Sequence, residues 1–164
     1  MILSRYTAYR EWNSAQALYN AGNYENALDH YHRLFPKMNS QKQFIFEYAR
    51  CLSETNKFEA SNAMLNRYLL FGSNPMIYNC MGDNYKSISD YEKAETMYLR
   101  AMQIVPSRFL PLYLLMKLYD ESGQTEKALA TARELLEKPV KVPSQAIKEM
   151  HEKAREIEKI NETE

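Results

Sequence analysis

Apolar positions recur along this chain at intervals of three and four residues, the spacing that puts side chains on one face of an α-helix. The stretch from Pro75 to Arg108 shows it most clearly. Tyr78, Met81, Gly82 and Tyr85 are spaced 3, 1 and 3 and fall on one face, and Tyr91, Ala94, Tyr98 and Ala101, spaced 3, 4 and 3, form a second face that meets the first. Large residues oppose small ones throughout, so two antiparallel helices can approach closely there. Pro106 closes the unit where a helix must stop. The strings Asn23-Tyr24-Glu25-Asn26-Ala27, Lys57-Phe58-Glu59-Ala60-Ser61, Asp90-Tyr91-Glu92-Lys93-Ala94 and Gln124-Thr125-Glu126-Lys127-Ala128 place anchors at 24, 58, 91 and 125, with separations of 34, 33 and 34 residues. That length fits two helices of about a dozen residues each plus two short turns. The sequence therefore predicts an all-α chain of helical hairpins, with repeats at 8–41, 42–74, 75–108 and 109–142.

Beyond Val142 the pattern narrows to one stripe. Ser144 is placed to cap a helix start, and Ala146, Ile147, Met150, Ala154 and Ile157 form a single apolar face. Glu152, Lys153, Arg155, Glu156, Glu158 and Lys159 supply a polar outer side, so 143–160 reads as a capping helix that closes one domain spanning 1–164. Composition agrees with helices: 4 Gly and 6 Pro in 164 residues are too few for a fold with many tight turns. Charge removes one class of partner. With 21 basic and 21 acidic side chains, a pI near 6.8 and a mean hydropathy of −0.59, the chain has no broad positive field to capture nucleic acid.

The Pro75–Arg108 faces resemble the tetratricopeptide repeat, which wants a bulky residue, an apolar, a small residue and an aromatic on its first helix, then aromatic, Ala, aromatic, Ala and Pro on its second. The resemblance extends to Ile45, Tyr48, Ala49, Leu52, Phe58, Ser61, Leu65 and Tyr68, with the closing Pro displaced to Pro75. It continues through Leu112, Leu115, Tyr119, Gly123, Ala128, Ala132, Leu135 and Pro139, where Met116 replaces the small residue and Thr125 the aromatic. Near the start Ala15, Leu18, Gly22, Tyr24, Ala27 and Tyr31 fit, while Trp12 comes one place late. The resemblance implies a right-handed α-solenoid whose first helices line a groove for a protein or peptide segment. The implied groove positions are Tyr9, Trp12, Gln16 and Tyr19, then Gln43, Phe46 and Arg50, then Met76, Asn79, Asp83 and Lys86, and last Leu110, Tyr113 and Lys117. For Trp12, packing against neighbouring helices competes evenly with exposure in the groove. One subclass of the family grips chaperone tails through Lys and Asn on the first unit and Lys and Arg on the third. Here those places hold Trp12, Gln16, Met76 and Cys80, so that clamp is missing.

Chemistry is sparse. His30 and His32 are two positions apart on a helix and point about 200 degrees away from each other, and His151 has no companion, so no metal site is expected. No nucleophile turn or Gly-rich phosphate loop is present, and neither catalysis nor a cofactor is expected. Cys51 and Cys80 carry no spacing motif, and whether they pair stays open. The longest apolar run, Phe109 to Met116, is far short of the about 20 residues that cross a bilayer. Leu3 and Tyr6 already follow helical spacing with no capping residue ahead of them, which reads as a first helix cut from a longer protein.

A narrower resemblance rests on Phe46-Glu47-Tyr48-Ala49, Tyr78-Asn79, Gly82-Asp83-Asn84-Tyr85, Pro111-Leu112-Tyr113-Leu114-Leu115 and Pro139-Val140-Lys141-Val142-Pro143-Ser144. These strings resemble the repeat-containing C-terminal region of bacterial O-antigen ligase or polymerase-type membrane proteins. That implies a periplasmic tail tethered to a membrane domain, with a cytoplasmic chain as the alternative. Two functions remain in competition: a scaffold that binds a protein segment, and an accessory domain that stacks Tyr and Trp on a glycan. Self-association through an exposed end of the stack is a third possibility.

Overall fold

A computed structural model describes residues 2–161, and the side chains of 6–160. Among the described residues there is no strand. The helices are α1 (Ile2–Asn20), α2 (Tyr24–Met38), α3 (Lys42–Glu54), α4 (Phe58–Leu69), α5 (Pro75–Ser87), α6 (Tyr91–Ile104), α7 (Leu110–Glu121), α8 (Thr125–Glu137) and α9 (Gln145–Asn161). The chain is thus an all-α helical repeat. Each repeat anchor, Tyr24, Phe58, Tyr91 and Thr125, is the first residue of a helix.

The four hairpin turns are the same turn. Gly22, Asn56, Ser89 and Gly123 each adopt a positive φ, between 59° and 76°. In each case the following amide closes a bond back to a carbonyl five residues earlier: Asn23 to Leu18, Lys57 to Leu52, Asp90 to Tyr85 and Gln124 to Tyr119, at 2.8–2.9 Å. This satisfies carbonyls that the end of a helix would leave orphaned and reverses the chain in three residues. Of the four polar residues that precede the anchors, only Asp90 caps with its side chain, accepting from the Lys93 amide. Asn23, Lys57 and Gln124 make no such bond.

The residues form two compact units, Met1–Ser73 and Asn74–Glu164. In the first, α1 pairs with α2 and α3 with α4, and α2 packs on α3. Its core is aromatic: Phe44 lies 5.7 Å from Trp12 and 5.5 Å from Tyr31, which stacks on Tyr48 at 5.9 Å. Ala15 and Ala27 are fully buried where α1 and α2 meet, so backbones approach and the rings fill the space alongside. Ser61, the small residue of α4, donates its hydroxyl to the Ala49 carbonyl at 2.8 Å.

In the second unit α5 pairs with α6, α6 packs on α7, α7 pairs with α8, and α9 covers α8. Gly82 makes the closest approach. A Cβ there would lie 2.7 Å from Tyr98 Cδ1 and 2.8 Å from its Cζ, so only hydrogen fits under this fully buried ring. Met116, at a place where the repeat pattern wants a small residue, is fully buried in the cluster that joins Leu112, Leu115, Ala132 and Leu135. Ser144 Oγ accepts from the Ile147 amide at 3.2 Å and so caps α9. Ala154 and Ile157 are buried against the unit, Ile147 and Met150 partly so, while Ala146 is exposed.

Candidate functional sites on the first helices

In the first unit the candidate positions lie on α1 and α3, and a single carboxylate joins them. Glu47 Oε2 accepts from Trp12 Nε1 at 2.7 Å and from the Tyr31 hydroxyl at 3.3 Å. Oε1 accepts from Gln43 Nε2 at 2.8 Å, and Gln16 Nε2 reaches both oxygens at 2.9 and 3.0 Å. Donors from α1, α2 and α3 thus converge on one acidic group, which no repeat position had singled out. Its partners are 31 to 35 residues away in α1, 16 away in α2, and one turn back in α3, so only the fold assembles them.

Trp12 is a core residue. It is 9% exposed, its ring lies between Tyr9 and Phe44, and its indole N–H is used by Glu47. Being one place late displaces it from the usual core position, yet the fold buries it in the helix contact all the same, so of its two readings the packed one describes it. Tyr9, Gln43 and Arg50 are exposed, while Gln16, Tyr19 and Phe46 are half-buried. Arg50 lies over the Tyr19 ring at 5.0 Å and the Phe46 ring at 6.0 Å. The Tyr19 hydroxyl donates to Glu54 at 3.3 Å, and burial, opposed in part by the Arg50 charge, raises its pKa to about 12. Gln16, Tyr19, Asn20, Tyr31, Glu47 and Arg50 line a cavity of about 280 Å³.

In the second unit the positions lie on α5 and α7. Met76 and Asp83 are exposed; Lys86, Leu110, Tyr113 and Lys117 are half-buried. Asn79 is not a surface group: it is 4% exposed, and its Oδ1 has no hydrogen-bond partner. Asp83 accepts from the Tyr98 hydroxyl at 2.6 Å; desolvation raises the pKa of its carboxyl, against the lowering effect of that bond and of Lys86 and Lys117. Lys86 pairs with Glu121 at 2.9 Å, and Lys117 approaches the same carboxylate at 3.9 Å while lying over Tyr113. Each of these charged groups has a polar partner within the unit.

Buried tyrosines bound to carboxylates recur in both units. Tyr119 donates to Glu95 at 2.7 Å, and burial drives the pKa values of Tyr31, Tyr98 and Tyr119 upward. Neither cysteine is in a disulfide. Cys51 is fully buried, donates to the Tyr24 carbonyl at 3.3 Å, and has its pKa pushed up to about 11 by burial. Among the described residues no three His, Cys, Asp or Glu side chains gather to hold a metal ion, and no helix is long and apolar enough to cross a membrane.

Two family models match the sequence: the YpiA-like C-terminal tetratricopeptide repeats over residues 9–72, and a tetratricopeptide repeat over residues 112–139. No curated protein matches it significantly. Its fold is similar to that of MamA 41-end from Desulfovibrio magneticus RS-1, with a TM-score of 0.69 at 17% identity, covering 92% of this chain and 90% of the other. It is also similar to a tetratricopeptide repeat protein from Parabacteroides merdae ATCC 43184, with a TM-score of 0.70 at 16% identity, covering 93% of this chain and 60% of that one. A further MamA structure gives 0.67 at 13% identity over 93% and 88% of the two chains. At such identities the likeness concerns the fold alone, and no likeness to an O-antigen ligase is among these findings. The matched stretches, one in each unit, carry tetratricopeptide repeats, and the same hairpin pattern runs through both units.

Proposed function

We propose that this chain is a non-catalytic scaffold that binds a segment of a partner protein on the faces formed by α1 with α3 and by α5 with α7. The observation that carries this reading is how the helices divide their labour. In the first unit Trp12, Tyr31, Phe44 and Tyr48 are buried between the helices, while α1 and α3 leave Tyr9, Gln43 and Arg50 exposed and Phe46 half-buried, with Arg50 at the edge of a small cavity. Exposed aromatic and arginine side chains are the groups most often found to anchor protein contacts. Replacing Tyr9, Phe46 and Met76 together with Ala tests it. Capture of partner proteins from a host extract is expected to fall while helical circular dichroism is retained; unchanged capture counts against these faces.

The carbohydrate reading has less support, because the rings best placed to stack on a sugar are already covered. Trp12 is flanked by Tyr9 and Phe44, and Tyr19 by Arg50 and Tyr24. A membrane-tethered, periplasmic setting rests only on the short strings of sequence that resemble the O-antigen ligase region. A topology reporter fused to the native reading frame tests that setting, and activity confined to the cytoplasm counts against it.

A further inference from the structure

We propose that the cavity between α1 and α3 receives an acidic side chain of the partner segment, and that Arg50 is the group that recognises it. The inference rests on the reading of this face as a peptide-binding surface.

Two charges border the cavity, and they differ in what they have left to offer. A carboxylate has about four acceptor sites. Glu47 fills its sites with donors from Trp12, Gln16, Tyr31 and Gln43, so an incoming cation would have to displace bonds that hold three helices together. Arg50 is the opposite case. It is exposed, and no carboxylate among the described residues pairs with it; its contacts are with the faces of Tyr19 and Phe46. Contact with ring faces uses none of the N–H donors of a guanidinium as hydrogen bonds to a carboxylate, so its fork remains available for two-point contact with one. Two rings also hold the group in place, so less side-chain freedom is lost when it is engaged.

The second unit supplies the contrast. Lys86 and Lys117 share Glu121, and Asp83 accepts from the Tyr98 hydroxyl, so each of these charged groups already has a polar partner. The unanswered charge lies on the first unit. The cavity is small, about 280 Å³, with room for one side chain and its adjoining backbone. Gln16 donates its amide N–H to Glu47, which leaves its Oε1 to accept a backbone N–H from the segment beside the acidic residue.

The test uses a library of random dodecapeptides, each displayed between two folded carrier segments so that no free carboxyl terminus is present. It is selected on the wild-type chain and on Arg50→Ala, with circular dichroism to verify the fold of the variant. The expected result is a family of binders with Asp or Glu at one fixed position. Changing that residue to Gln or Asn weakens binding to wild type about tenfold, as expected for loss of a charge-assisted hydrogen bond, and weakens binding to Arg50→Ala no further. Arg50→Lys, which keeps the charge but loses the fork, falls between, and added salt weakens the wild-type complex. Binders that need Tyr9 and Phe46 but carry no fixed acid, or ignore Arg50, overturn the inference and leave the peptide-binding reading standing. If no peptide is enriched, the peptide-binding reading itself fails, and the inference with it.

Discussion

Replacing Gly82 with Ala reverses the sign usually expected of that change. In a helix interior Ala is favoured over Gly by about 1 kcal/mol, and Gly82 lies in the middle of α5 without the positive φ that would forbid a side chain. Packing works the other way. The new methyl would lie 2.7 and 2.8 Å from Tyr98 Cδ1 and Cζ, where carbon contacts normally settle near about 3.5–4.0 Å, so ring and methyl must separate by about 1 Å. Tyr98 has no exposed surface into which to retreat. Overpacking of this kind costs about 1–3 kcal/mol. Moving the ring also strains the 2.6 Å bond from its hydroxyl to Asp83, and a hydrogen bond to a charged group is worth about 1.5–3 kcal/mol when lost outright. With the helix preference subtracted, Gly82→Ala is expected to destabilise the second unit by about 2 kcal/mol. Urea unfolding followed by circular dichroism measures it, with hydrogen exchange of α5 and α6 amides to locate the loss. Shrinking the ring in a Gly82→Ala, Tyr98→Leu double variant should make the two changes cost less than their sum, whereas Tyr98→Phe alone removes only the hydroxyl bond. An Ala variant as stable as wild type, or more so, would refute the packing argument.

The remaining expectations follow from the same geometry. Glu47→Ala leaves four donors without an acceptor and should cost about 2 kcal/mol, with a shift in the emission of the single tryptophan; Glu47→Gln, which keeps one carbonyl, should cost less, and equal stability of all three forms would show that the convergence is incidental. Ser89→Gly relieves a left-handed backbone held by a residue with a Cβ, so denaturant unfolding should show a gain of about 1 kcal/mol, and a loss would count against strain there. Tyr31, Tyr98 and Tyr119 have folded pKa values raised above the ordinary 10, so the folded state holds their protons longer than the unfolded chain does. Their contribution is therefore fully present below pH 10 and drains away as pH rises further, and phenolate absorbance should show these three ionising together with unfolding. Lys86→Ala breaks only a half-buried surface pair with Glu121, and should change stability by less than about 1 kcal/mol.

Much of the fold was legible because its signals are local. Tyr24, Phe58, Tyr91 and Thr125 mark helix starts through a pattern confined to five residues each, and the turn before each returns at the same interval. The left-handed position in those turns was less visible, since Asn56 and Ser89 occupy it as well as glycine. What escaped were contacts that join residues far apart in sequence. Glu47 reads as one more acidic residue on a helix, and donors from other helices, Trp12 and Gln16 more than 30 residues away and Tyr31 16 residues away, give it a role. Trp12 shows the same limit from the other side: one place late, it falls about 100 degrees from the repeat's usual core position, yet the fold buries it against Phe44 and Glu47. Asn79 sits on the face that periodicity gives it, yet is buried there by packing that its own segment does not encode.

The two thiols carry a practical consequence. Cys51 combines complete burial with a pKa near 11, and each factor slows attack on a disulfide reagent; Cys80 is only half-buried. A reagent added at neutral pH should therefore mark Cys80 first and reach Cys51 only when the amino-terminal unit opens. The slower labelling rate becomes a built-in clock for that opening, read without engineering a probe into the chain.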